Sequence, residues 1–362
     1  MAANTGFGIL GAGLISPLHA RAIHDAEGAD LIAVCDMDLE RARKLAEPYG
    51  ARVYDSLEAM LADPAIGVVC VVTPNHLHCE AVVACARAGK HVLCEKPPAM
   101  SLAETDRMIQ TCRENRVKLG CFVQCRVRGA IQAMKQAIGE GRFGRLLSAD
   151  AYMKWYRSVD YYKSDAWRQS RKSGAGVTVQ QAFHYIDLLT YLAGPVTRVE
   201  AWMRNIAHPE IAVEDTTIAH LEFASGAMGL VQASSALWPG TDVRVELNGE
   251  NGTTIMSGEK MVTWRFREEK PEDGAMRQLG SESQATAAGG AADLGHLDHQ
   301  VVIQDMVDAL REEREVIIPL ATVRHTLEIV LGMYQSAARR RPVELPVADD
   351  DSIWAWPESV SA

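Results

Sequence analysis

The feature that most constrains the fold is a strict alternation, over roughly the first 120 residues, of short apolar runs with longer stretches of helical periodicity. Phe7 to Gly11, Leu31 to Cys35, Val68 to Val72 and His91 to Cys94 are β-branched and nearly continuous, as strands buried on both faces must be. Between the last two, Leu77, Ala81, Ala84, Cys85 and Ala88 form one apolar stripe that Gly89 can end. Strand and helix in this order mean crossover units, so the first half is expected to be α/β with a doubly wound parallel sheet.

The rhythm changes after about residue 145. Thr217, Ala219, Leu221 and Phe223 share one strand face, Ser225-Gly226 makes a turn, and a second strand runs to about Leu237. Arg244 to Leu247 and Thr253 to Met256 flank the turn Gly249-Glu250-Asn251-Gly252, and Val262 to Arg267 continues the meander. Two late helices follow, one marked by Ile303, Met306, Val307 and Leu310, the other by Val323, Leu327, Val330, Leu331, Tyr334 and Ala338. This half reads as α+β with a mostly antiparallel sheet. The stretch 274–295 is rich in Gly, Ala and Ser and reads as a mobile loop.

A length of 362 residues is more than one core comfortably holds, so two domains are expected. Composition places the boundary, because all eight cysteines lie between Cys35 and Cys125 and all seven tryptophans between Trp155 and Trp356. The expected domains are 1–125 and 126–362. With 37 Lys and Arg against 47 Asp and Glu, the net charge of −10 disfavours nucleic acid and anionic membrane as partners. No apolar run reaches a membrane span, and Met1 to Thr5 lack signal-peptide features, which points to the cytoplasm. The cysteines include no C-x-x-C pair and sit in apolar runs, so they read as reduced core residues, and no structural metal is expected.

Gly11-Ala12-Gly13-Leu14-Ile15-Ser16 follows the first strand and opens a helix, the setting of a dinucleotide loop. Gly11 would make the tight turn and Gly13 would let the helix N-terminus approach a pyrophosphate. The third small position is Ser16 rather than Gly or Ala. Asp36 ends the second strand, 23 positions beyond Gly13, close to the ~20 expected of a carboxylate on the adenosine ribose. A carboxylate repels the extra phosphate of NADP, so NAD is favoured, with Arg41 or Arg43 as the competing route to NADP. Thr73-Pro74-Asn75-His76-Leu77-His78 and Glu95-Lys96-Pro97 end the next two buried strands, where ligands bind in open α/β sheets. On position alone, Lys96 is equally a cation facing the substrate or a surface lysine paired with Glu95.

The glycine loop, Thr73-Pro74-Asn75, Glu95-Lys96-Pro97, the segment from Gly174-Ala175-Gly176 through His184-Tyr185-Ile186-Asp187, and Tyr334-Gln335-Ser336 leading to Val343-Glu344-Leu345 follow one another in a familiar order. In these motifs nearly the whole chain resembles the Gfo/Idh/MocA family of sugar and cyclitol oxidoreductases. The resemblance implies an N-terminal Rossmann domain binding NAD through Gly11, Gly13, Leu14, Ile15, Asp36, Thr73, Pro74, Asn75, His78, Glu95 and Lys96. It implies a cis bond before Pro97 and a C-terminal domain that binds substrate and assembles into a homodimer or homotetramer. Lys96 would hydrogen-bond the reacting hydroxyl, and His184 would be the catalytic base, a role that imidazole suits because it titrates near neutrality. Tyr161, Tyr162, Trp167 and Arg168 resemble the family's substrate wall, although each of the four could equally be core. Gln180 departs from the aspartate that many cyclitol-oxidising relatives carry four residues before the histidine. An amide cannot exchange a proton but can hydrogen-bond substrate, which turns the expectation from inositol toward glycosides or nucleotide-linked sugars. His299 is a weaker candidate at a helix start.

The expected activity is therefore NAD-dependent oxidation of a secondary hydroxyl, with the third carbon as one candidate, on a sugar, glycoside or nucleotide sugar. The active site is expected in the cleft between the half supplying Lys96 and the half supplying His184. The alternatives are a glycosidase that oxidises its sugar transiently and a non-enzymatic NAD-binding sensor.

Overall fold

The computed structural model describes residues 4–174, 176–282 and 295–354. The chain divides into two compact units, one formed by Met1–Gln124 with Gly295–Arg324 and the other by Cys125–Leu294 with His325–Ala362.

In the first unit, β1 (Thr5–Leu10), β2 (Ala29–Cys35), β3 (Arg52–Tyr54), β4 (Val68–Val71), β5 (His91–Cys94) and β6 (Leu119–Cys121) form one sheet in the order β3-β2-β1-β4-β5-β6. Every pairing is parallel. β4 is buried along its whole length, which is why its sequence is a continuous apolar run. The strand order reverses direction between β1 and β4, so the loops leaving these two strands flank the point where such sheets bind ligands. The cysteines are all free and buried, as expected of small core residues.

The segment 295–324 was expected in the second domain but packs in the first unit. The helix Leu297–Arg311 lies along Ser16–Asp25, where His296 Nε2 meets Asp25 Oδ2 at 2.9 Å and Gln300 Nε2 donates to the Asp25 carbonyl at 2.7 Å. Further on, the Cys121 amide donates to the Ile318 carbonyl at 3.1 Å. Periodicity shows which face of a helix is apolar, not which sheet that face covers.

The second unit is built on β7 (Leu146–Lys154), β8 (Val196–Arg204), β9 (Thr216–Phe223), β10 (Met228–Ser234), β11 (Arg244–Gly249), β12 (Gly252–Ser257), β13 (Lys260–Phe266) and β14 (Val343–Glu344). Their order is β13-β12-β11-β7-β10-β9-β8-β14, antiparallel except for the parallel β7 and β10. Thr217, Ala219, Leu221 and Phe223 face the core together, and the helix Phe183–Ala193 buries Phe183, Ile186 and Leu189. Part of the stretch read as a mobile loop is ordered. Asp273–Met276 is a helical turn in which Asp273 accepts from Trp264 Nε1 at 2.7 Å and from both guanidinium nitrogens of Arg142. Residues 283–294 of that stretch lie outside the described residues. Among the described residues no helix is long and apolar enough to cross a membrane.

Candidate active site

The glycine loop leaves β1 with Gly11 at φ +101°, and a Cβ there would lie 2.6 Å from the Val72 carbonyl oxygen of β4's extension. Only glycine fits. A Cβ on Gly13 would meet nothing within 4 Å, which leaves the open space a pyrophosphate needs. Ser16 is fully buried and its Oγ donates to the Gly11 carbonyl at 2.7 Å, so a serine replaces the usual third glycine without stranding its hydroxyl. Leu14 beside it is 58% exposed. Asp36 accepts from the Ala12 amide at 2.6 Å and the Asp38 amide at 2.8 Å, and each carboxylate oxygen keeps capacity for a ribose hydroxyl. Arg41 Nε pairs with Asp38 at 3.1 Å, which draws this cation toward a carboxylate rather than toward a 2′-phosphate. At the end of β4, Thr73 Oγ1 is buried with no hydrogen-bond partner. Together these features fit NAD.

His78 holds the next two loops together. Its Nε2 lies 2.9 Å from the Thr73 carbonyl and its Nδ1 2.8 Å from the Pro97 carbonyl, and the ring is fully buried. Burial pushes its pKa down. Both ring nitrogens face backbone carbonyls, and the neutral ring donates to one of them, so His78 ties together the two loops expected to meet the cofactor. Asn75 is buried at the start of the following turn. The Lys96–Pro97 bond is cis, as the resemblance implied.

Glu95 is buried and engaged within the protein. Its Oε2 accepts from the Lys96 amide at 3.0 Å, and its Oε1 lies 2.9 Å from His19 Nε2 and 3.8 Å from His299 Nε2. Burial alone would raise its pKa, but the two imidazoles outweigh that and hold the carboxyl well below the usual range. Sequence reasoning missed His19, whose signal was a histidine on the buried face of the Ser16–Asp25 helix with Ala20 and Ile23. It also undervalued His299, which is 2% exposed with its ring 4.9 Å from that of His19. These three side chains are spaced to hold a metal ion. The chemistry fits poorly, because both Nδ1 atoms are buried without partners, whereas a ligating imidazole is normally anchored through its second nitrogen.

In the second unit, Gly176 at φ +129° precedes a short helix, Val177–Gln180, and His184 opens the longer helix that follows. His184 is half-buried and its Nδ1 is buried. Gln180 Nε2 donates to the Gly174 carbonyl at 2.7 Å. Glu214, missed by sequence reasoning, braces this segment: its carbonyl accepts from the Val177 amide at 3.0 Å and its Oε1 from the Thr178 amide at 3.1 Å and the Tyr334 hydroxyl at 2.7 Å. Burial raises its pKa. Asp187 forms a buried two-pronged pair with Arg126 at 2.6 and 2.7 Å.

The wall residues divide. Tyr161 and Arg168 come together, Arg168 Nη1 donating to the Tyr161 hydroxyl at 3.0 Å, with Trp167 4.6 Å from the guanidinium. Gln181, not singled out from sequence, donates to the same hydroxyl at 2.9 Å. Tyr162 is corrected to a core residue. It is 2% exposed, packs on Ile211 and Val213, and shares a hydrogen bond with Ser235 Oγ at 2.5 Å.

Comparison with known proteins agrees with this construction. Residues 5–123 match the GFO_IDH_MocA family, described as an oxidoreductase family with an NAD-binding Rossmann fold, and residues 131–255 match its C-terminal domain. The chain is 30% identical over 278 residues to myo-inositol 2-dehydrogenase of Thermotoga maritima, covering 74% of this chain and 80% of that one. Among solved structures, it is similar to the WlbA dehydrogenase from Bordetella pertussis in complex with NADH and UDP-GlcNAcA, with TM-score 0.84, 30% identity, and 95% and 99% of the two chains covered. The WlbA dehydrogenase from Chromobacterium violaceum, in complex with the same two ligands, superposes with TM-score 0.87 at 29% identity over 96% and 98% of the chains. The glycine loop, the Glu95-Lys96-Pro97 turn and the eight-stranded second sheet thus have one common explanation: the chain belongs to the Gfo/Idh/MocA family and is an NAD(P)-dependent oxidoreductase.

Proposed function

We propose that the protein oxidises a secondary hydroxyl, with C3 as the first candidate, of a sugar, glycoside or nucleotide-linked sugar, using Lys96 and His184. The observation that carries this reading is the Glu95–Pro97 loop. It leaves β5, the neighbour of β4, in the sheet whose β1 and β4 ends form the dinucleotide site, and the buried Glu95 carboxylate holds the Lys96 amide. The Lys96 ammonium hydrogen-bonds the reacting oxygen and stabilises it as charge develops. His184 takes the hydroxyl proton, and the role falls to Nε2 because Nδ1 is buried. NAD, when bound, accepts the hydride. Gln180 hydrogen-bonds or orients the substrate and titrates nothing. Relatives crystallised with NADH and a nucleotide sugar support the substrate class.

The test is a screen of sugars, glycosides and nucleotide sugars with NAD and NADP, followed through nicotinamide reduction. Lys96→Met is expected to lower kcat by about 10²- to 10³-fold. Unchanged turnover in that variant would refute the assignment. Hydrolysis of a glycoside without net NADH would favour a glycosidase instead. A homodimer or homotetramer is supported by the exposed Trp202, Ile218 and Met228 on one face of the second sheet. Trp202→Glu should lower the mass seen in light scattering.

A further inference from the structure

We propose that residues 155–168 and Gln181 form a subsite for an anionic oxygen group on the substrate, a carboxylate or a phosphate. The proposal rests on the sugar-dehydrogenase reading and narrows it to acidic substrates.

The segment builds a ladder of alternating aromatic rings and guanidinium groups. Arg157 lies 5.0 Å from the Trp155 ring and 5.8 Å from the Tyr161 ring; on the other side, Arg168 lies 4.8 Å from Tyr161 and 4.6 Å from Trp167. Both arginines are more than nine-tenths buried. A buried guanidinium requires a matching charge. Arg126 and Arg142, buried in the same unit, each have a two-pronged carboxylate partner, Asp187 and Asp273. Among the described residues Arg168 has a single long carboxylate contact, from Nε to Asp165 Oδ2 at 3.4 Å, and a neutral phenol oxygen at 3.0 Å. Its charge is the less well matched.

The donors and acceptors around Arg168 mark where an oxygen ligand would sit. The Tyr161 oxygen accepts from both Arg168 and Gln181, so its lone pairs are used and its proton remains to be donated. Trp155 Nε1 is a buried donor with no partner among the described residues, in a residue 6% exposed. Against these donors stands one buried acceptor without a partner, Gln181 Oε1. A neutral hydroxyl could accept both of these hydrogen bonds and donate to Gln181, so the count calls for an oxygen ligand, and it is the weakly matched buried charge of Arg168 that selects an anion. A carboxylate or phosphate brings acceptors only, and an adjacent ring hydroxyl can satisfy Gln181.

The test is equilibrium binding to the full-length protein loaded with NADH, using glucose, glucuronate, UDP-glucose and UDP-glucuronate, with uridine as a control for the base, alongside turnover with NAD. Glucuronate against glucose reads a carboxylate; UDP-glucose against glucose, corrected by uridine, reads a phosphate. At least one anionic probe should bind about 30-fold more tightly than its neutral counterpart. Arg168→Gln should shrink that ratio at least about ten-fold, and Arg168→Lys should recover part of it because the charge returns without the planar fork. Melting temperatures are measured with each variant. If Arg168→Gln does not fold, Gln181→Leu and Arg168→Lys read the same ratio. Equal binding of charged and neutral probes, no binding of any probe, or a variant that weakens both kinds equally would overturn the proposal. Preferential binding of an anion with no nicotinamide reduction would instead overturn the dehydrogenase reading and leave the subsite standing.

Discussion

Each unit of the chain buries a glutamate that braces the segment leading to or carrying its candidate catalytic residue, and the two carboxylates are held in opposite ways. Glu95 faces two imidazoles, which keep it ionised in spite of burial. Glu214 takes its hydrogen bonds from neutral groups, the Tyr334 hydroxyl and the Thr178 amide, and burial raises its pKa. The lesson is that a buried carboxylate can anchor a loop either ionised, held by imidazole N–H donors, or as an acceptor that burial pushes toward its neutral form. The partners decide which, not the residue type.

The strongest way to break this contrast is Glu95→Gln, which should cost about 3 kcal/mol of stability at pH 7 by taking the charge from a buried cluster. Denaturant titration measures it, and a loss no greater than that of Glu214→Gln would end the distinction. Next is Gly176→Ala. Its Cβ would stand 2.3 Å from Glu214 Oε2 at a φ of +129°, and a loss of about 2 kcal/mol with a lower kcat is expected. Glu214→Gln should change stability by only about 1 kcal/mol, because the amide oxygen still accepts both hydrogen bonds. The smallest effect on stability is expected for Gly13→Ala in the first unit, within about 0.5 kcal/mol because the Cβ meets nothing, while NAD binding falls at least about ten-fold. Intact NAD affinity there would remove Gly13 from the cofactor site.

The pH dependences should also diverge. Glu95 has a folded pKa below its ordinary 4.5 and His19 one below 6.5, so the unfolded chain binds the extra protons as pH falls. Stability from this cluster is present at neutral pH and is lost first below 6.5 and then below 4.5. Glu214 has a raised folded pKa, so its contribution falls as pH rises above 4.5. Glu95→Gln should therefore approach wild type in acid, and Glu214→Gln should gain on wild type toward neutrality. Melting temperatures from pH about 2 to 8 read both slopes.

The parts legible in sequence share a physical cause. β1, β2, β4 and β5 were readable because strands buried on both faces must be apolar throughout, whereas β3 and β6 were missed as three-residue edge strands with little pattern. Gly11, Gly13, Asp36 and Lys96 could be placed because a local turn or strand end fixes where each lies. Tyr162 and Tyr161 are neighbours of the same type, and nothing local says that one packs on Ile211 and Val213 while the other meets Arg168. His19, Glu214 and Gln181 escaped because their partners lie 76, 36 and 20 positions away.

By itself the sequence determined the two-part architecture, the dinucleotide loop and the preference for NAD, since each is written in periodicity or in spacing along one short segment, while Lys96 and His184 as a pair came from the family resemblance. Only the tertiary structure decided that 295–324 belongs with the first sheet, that His78 and Glu95 support loops, and that Arg157 and Arg168 alternate with aromatic rings. Those outcomes depend on which distant groups meet in a low-dielectric interior, where partners set the charge state and the role of each side chain.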